Sequence, residues 1–151
     1  MDQRVFQFRL RSSHPAPERA TSALVVEFLT PAGLWEPQQL SLTMPGFRLY
    51  LISLLLCQHT YLVANARERR IPLATVEAAF TVRTSSTWIV ESVEGDFRMR
   101  LDPAATVEER GLADAEAIAW MQERMALCPI SRNLPEGVRK RIALQPAEAP
   151  A

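Results

Sequence analysis

The sequence predicts an α+β domain, and three observations carry that reading. Stretches with the period-two alternation of half-buried strands gather in two groups, one near the N-terminus and one between about residues 76 and 101. Between the groups lies one long apolar run of helical length, and a second helical pattern follows the later strands. Strands and helices thus come in runs rather than as repeated β-α units, which argues against a doubly wound sheet.

Val5 to Arg11 alternates apolar Val, Phe and Phe against Gln and Arg, as a strand does, and Ser12 to Glu18, with Pro15 and Pro17, reads as a loop. Ala23 to Leu29 is rich in β-branched residues and ends at Pro31-Ala-Gly33; Gln38 to Thr43 returns as the third strand of a meander. Pro45-Gly46 then opens a helix that runs to about Arg69, where Arg67, Arg69 and Arg70 complement its dipole and Ile71-Pro72 stops it. Val76 to Thr84 and Thr87 to Leu101 are strands around a Ser85-Ser86 turn, with Glu94-Gly95-Asp96 as a bulge or a further turn. A helix over Asp114 to Leu127 and a strand over Leu134 to Leu144 complete one domain, residues 1–144, and 145–151 form a loose tail.

A chain of 151 residues, 48% hydrophobic, can bury a real core. Its 17 basic and 17 acidic residues cancel, which removes any chain-wide electrostatic case for nucleic acid or an acidic membrane as partner. The N-terminus lacks the apolar segment and cleavage site of a secretory signal, so the expected location is cytoplasmic. Leu49 to Ala66 is long enough to span a bilayer, but Gln58-His59-Thr60 at its middle would be costly in hydrocarbon, and the run reads as a buried helix.

Cys57 and Cys128 are the only cysteines, and in a reducing compartment they are either free core thiols or a redox couple. Cys57 ends a run of leucines, where a buried thiol is ordinary. It also belongs to a stripe of small residues, Ser53, Cys57, Thr60 and Ala64, that would let another helix approach closely. Cys128 precedes Pro129, which suits the first position of a new helix; the thiol then either fills a kink or faces free amides that favour thiolate. His59 points about 200° away from Cys57 around the helix, and His14 sits in a Pro-rich loop, so neither is a proton partner for the thiol. No Cys or His pair has zinc-finger or ribbon spacing, and neither a metal nor a cofactor is expected.

Cys128-Pro-Ile-Ser131 resembles the signature at the second redox cysteine of the OsmC/Ohr family of thiol-dependent hydroperoxide reductases. Ala66 to Glu77 is similar to that family's passage from a charged helix end through an Ile-Pro-Leu-like turn into a strand, and the likeness covers Leu49 to Leu144, about two-thirds of the chain. The resemblance implies an intertwined homodimer in which two central cysteine-bearing helices are wrapped by an N-terminal three-strand meander and C-terminal strands. It implies that Cys57 attacks an organic hydroperoxide, that Cys128 resolves the sulfenic acid as a disulfide, and that an external dithiol restores both, in a stress response. An arginine activates the thiol in that family; Arg19 is the nearest match, with Arg9, Arg11 and Arg124 as further candidates. The glutamate that holds this arginine has no counterpart, because Met44-Pro-Gly-Phe-Arg48 places Phe47 there. That departure favours the alternative of an OsmC-like dimer without efficient peroxidase activity, which binds a small ligand or responds to redox state.

Overall fold

The computed structural model describes residues 2–147, which form ten elements. Three strands come first, β1 (Arg4–Ser13), β2 (Ser22–Leu29) and β3 (Trp35–Pro37), followed by helix α1 (Gly46–Glu68). The long strands β4 (Leu73–Thr84) and β5 (Val90–Leu101) lead to α2 (Val107–Arg110), α3 (Ala115–Met125), α4 (Pro129–Arg132) and β6 (Arg139–Pro146). All six strands share one sheet, ordered β3-β2-β1-β4-β5-β6. Every neighbouring pair is antiparallel except β5 and β6, which run parallel because the α2–α4 segment carries the chain back along the sheet.

The sheet has one apolar face. On β1, Phe8 and Leu10 are buried between exposed Gln7, Arg9 and Arg11; on β4 and β5, Phe80, Val82, Val93, Phe97 and Met99 continue that face. α1 lies across it through Leu51, Leu54, Leu55 and Leu62, and α3 joins through Met121 and Met125. The opposite face is a lattice of charges, in which Glu27 takes two hydrogen bonds from Arg9, at 2.9 and 3.3 Å, and one from Arg11.

Local chemistry fixes the boundaries. Ser85 Oγ accepts from the amides of Thr87 and Ile89 and closes the β4–β5 hairpin, so β5 begins at Val90 rather than Thr87. α2, which the sequence pattern does not announce as a separate element, is held by a capping box between Thr106 and Glu109. Asp114 caps α3 by accepting from the Ala117 amide at 2.8 Å.

Four expectations are corrected. The third strand is Trp35–Pro37, not Gln38–Thr43: the Trp35 ring anchors the edge under the Arg9 guanidinium, 4.4 Å away, whereas Leu40 and Leu42 beyond it find nothing to pack on and stay exposed. Glu94-Gly95-Asp96 is neither bulge nor turn, since all three residues pair with both β4 and β6 inside an unbroken strand. The last strand starts at Arg139, five residues after Leu134, because Ser131 to Val138 first turn out of α4. Gln145 and Pro146, expected in the tail, belong to β6, and residues 148–151 of that tail lie outside the described residues. On the free side of β6 the Gln122 side-chain carbonyl accepts the Leu144 amide at 2.9 Å.

Candidate functional site

α1 is apolar on nearly all sides but is left uncovered on one. Its sheet-facing residues are buried, while Leu49, Ser53, Leu56, Cys57, Thr60 and Ala64 form a half-buried to exposed stripe along the other side. The small-residue stripe read from the sequence is therefore the open face of the helix, and Cys57 sits at its middle.

Cys128 approaches the same helix from below. α3 ends at Met125, a tight turn follows, and Cys128 becomes the N-cap of α4 with Pro129 at the first helical position, where the missing N–H costs nothing. The Ser131 amide donates to Cys128 Sγ at 3.3 Å. Cys128 is fully buried, Cys57 is partly exposed, both are reduced thiols, and the two lie near each other.

The electrostatics favour the first of the two readings of Cys128, a thiol filling the junction, over a thiolate. Burial, together with the neighbouring Cys57 thiol, pushes the Cys128 pKa up to about 11, and the Ser131 and Ile130 amides offset only part of that. A helix of four residues has too small a dipole to stabilise an anion excluded from water. Cys128 is a neutral S–H at physiological pH, beside Cys57.

The arginines singled out from the sequence have other partners. Arg19 donates to Asp102 at 3.0 Å and to the Leu73 carbonyl at 3.1 Å, beyond the C-terminal half of α1. Arg9 and Arg11 are on Glu27, and Arg124 bonds Asn65 and lies over the Trp120 ring. Phe47 packs with Phe6 and Trp88, each 5.3 Å away between ring centroids, so the position is committed to an aromatic cluster at the start of α1.

Sequence reasoning passed over a buried polar cluster on the same helix. Ser12 Oγ lies 2.9 Å from His14 Nε2 and 2.8 Å from His59 Nε2. One hydroxyl can donate to only one imidazole, so the other donates its Nε2–H to the hydroxyl and the two rings hold opposite tautomers. Burial pushes the pKa of His14 down and that of His59 down to about 4, so both are neutral. The signal was present: Phe8, Leu10 and Ser12 share one parity of β1, and extending the alternation by one step turns Ser12 inward. The cluster makes His59 a structural partner of β1, on the side of α1 away from Cys57. Among the described residues no group of three or more His, Cys, Asp or Glu side chains could hold a metal ion.

No family model and no curated protein matches the sequence. Solved structures do. An osmotic stress induced and detoxification response protein from Psychrobacter arcticus 273-4 is 14% identical, with 90% of this chain and 88% of that one covered at a TM-score of 0.53. An OsmC-like hydroperoxide resistance protein from Jannaschia sp. CCS1 is also 14% identical, covering 86% of each chain at a TM-score of 0.50. The chain has an OsmC-like fold. A third structure, from structural genomics, matches 99% of this chain at a TM-score of 0.51. Within the OsmC-like fold the two cysteines lie on the central helix and at the junction after α3, next to each other.

Proposed function

We propose that the protein is a thiol-dependent peroxidase for organic hydroperoxides, with Cys57 attacking and Cys128 resolving. The contact between a partly exposed Cys57 and a buried, protonated Cys128 carries this reading. Cys57 thiolate attacks the terminal oxygen of ROOH; the O–O bond breaks, alkoxide leaves and takes a proton to become ROH, and Cys57 becomes a sulfenic acid. The Cys128 sulfur then displaces hydroxide from that sulfenic acid, its thiol proton completes water, and the disulfide forms. An external dithiol of the cytoplasm reduces it. Leucines and Tyr61 around Cys57 give the oxidant an apolar approach.

The active unit is a homodimer. The open stripe of α1 is apolar and small-sided, which suits a second α1 packed against it.

A second reading rests on Phe47 and the arginines. With Arg9, Arg11, Arg19 and Arg124 all bonded elsewhere in the protomer, an OsmC-like dimer that binds a small ligand or senses redox state is the alternative. Intact-mass analysis of reduced protein mixed with one equivalent of cumene hydroperoxide separates them. The peroxidase loses about two mass units as the disulfide forms within the mixing time. A mass unchanged over an hour would replace it with the alternative.

A further inference from the structure

On the outer face of the sheet, away from α1, a buried serine stands between two arginines in one row across three strands. Ser92 of β5 pairs with Arg83 of β4 on one side and with Arg139 of β6 on the other. Two residues further on, and on the same face, Arg141 pairs with Glu94. Adjacent strands are about 4.8 Å apart, so these side chains rise from one small area. They line an open groove of about 410 Å³.

Three guanidiniums here face one carboxylate. Glu94 is 3.6 Å from Arg83, and among the described residues neither Arg139 nor Arg141 has a carboxylate partner within 4 Å. Lys140 adds nothing to the groove's hydrogen bonding, because its ammonium reaches the Ser131 carbonyl at 3.2 Å. Ser92 is 4% exposed, and its hydroxyl has no hydrogen-bond partner among the described residues. A buried hydroxyl without a partner beside unneutralised arginines asks for one kind of occupant, an anion with several acceptor oxygens. The outer face nearer β1 makes no such demand, since Glu27 already takes Arg9 and Arg11.

We propose that Arg83, Ser92, Arg139 and Arg141 form an oxyanion site for the phosphate group of a small phosphate ester. The tetrahedral dianion offers enough oxygens for the Ser92 O–H and for more than one guanidinium fork, which the two oxygens of a carboxylate do not. The groove is open to solvent, so the organic part of the ester points outward. The zero net charge of the chain confines the attraction to this patch and argues against a nucleic-acid backbone as ligand. The site is across the sheet from the thiols and does not depend on the peroxidase reading.

Titration calorimetry with inorganic phosphate and with phenyl phosphate, at ionic strength held constant with sodium chloride, tests this. Saturable binding at one site per chain is expected. Ser92→Ala should weaken it about tenfold or more while leaving every charge in place, and Arg139→Gln with Arg141→Gln should remove it. Matching urea midpoints of the unliganded proteins establish that the variants are folded. Absence of saturable binding overturns the proposal, as does equal affinity in the parent and Ser92→Ala, which would mean diffuse charge attraction. Vesicles of phosphatidic acid in phosphatidylcholine form a parallel arm: capture by vesicles without binding of either soluble phosphate would place a lipid surface there instead.

Discussion

Gly95 passes so close beneath Gln58 that a Cβ at position 95 would lie 3.1 Å from the Gln58 carboxamide oxygen and 2.9 Å from the Phe97 ring. The residue next to Cys57 along α1 is thus seated on a strand position that only glycine leaves free. Gly95→Ala is expected to cost about 1–3 kcal/mol by forcing helix and strand apart. Urea unfolding measures it, and Gln58→Ala in the same chain should return part of the loss. Equal stability of parent and Gly95→Ala would show that the helix is not held at this point.

Cys57→Ser should abolish hydroperoxide consumption. Cys128→Ser should permit one oxidation of Cys57 and then stall, with a gain of one oxygen in the intact mass in place of the disulfide. Turnover of the Cys57 variant at the parental rate would remove Cys57 from the mechanism.

Acidification should loosen the fold through the buried histidines. His59 is held down to about 4 when folded, against 6.5 when unfolded, so between these values the unfolded chain binds a proton that the folded one refuses. Stability is complete above about pH 6.5 and falls with pH, by as much as about 3 kcal/mol near pH 4 at 1.36 kcal/mol per unit. His14, shifted in the same direction, adds to the slope. Urea midpoints at pH 7.5 and 5.0 read it, and His59→Gln should flatten the dependence.

Phe47→Ala should destabilise the protein by about 1–3 kcal/mol, because it opens the aromatic cluster with Phe6 and Trp88. The tryptophan emission should shift to the red as Trp88 gains water. A variant as stable as the parent would mean that Phe47 contributes no packing.

Ala64→Glu places a carboxylate on the open stripe of α1 without touching the protomer's core. Light scattering should find the parent dimeric across micromolar dilutions and this variant monomeric, with unchanged circular dichroism. A parent that is a folded monomer would exclude pairing of the helices.

The strands, both major helices and the two cysteines were legible in the sequence because each rests on local chemistry: alternation in β1, an apolar run ended by Ile71-Pro72, and proline after Cys128. What escaped depends on contacts distant in the chain. Trp35 became the third strand through Arg9, and Gly95 stayed inside β5 because Gln58, 37 positions earlier, needed the space. Ser12 looked like loop until His59 of α1 met it. The two readings of Cys128 stayed open in the sequence because helix position is visible there and depth of burial is not.

The Gln122 side chain on the Leu144 amide has a consequence for how copies of this protein meet. A bare parallel edge invites another strand, and sheets that extend in this way grow without limit. Here the edge is occupied from within by a glutamine and closes at Pro146, while the opposite edge, β3, is only three residues long. Propagation along the sheet is blocked at both margins. In the proposed dimer, association falls to the helical side, where joining two copies would use up the surface and stop the assembly at a finite size.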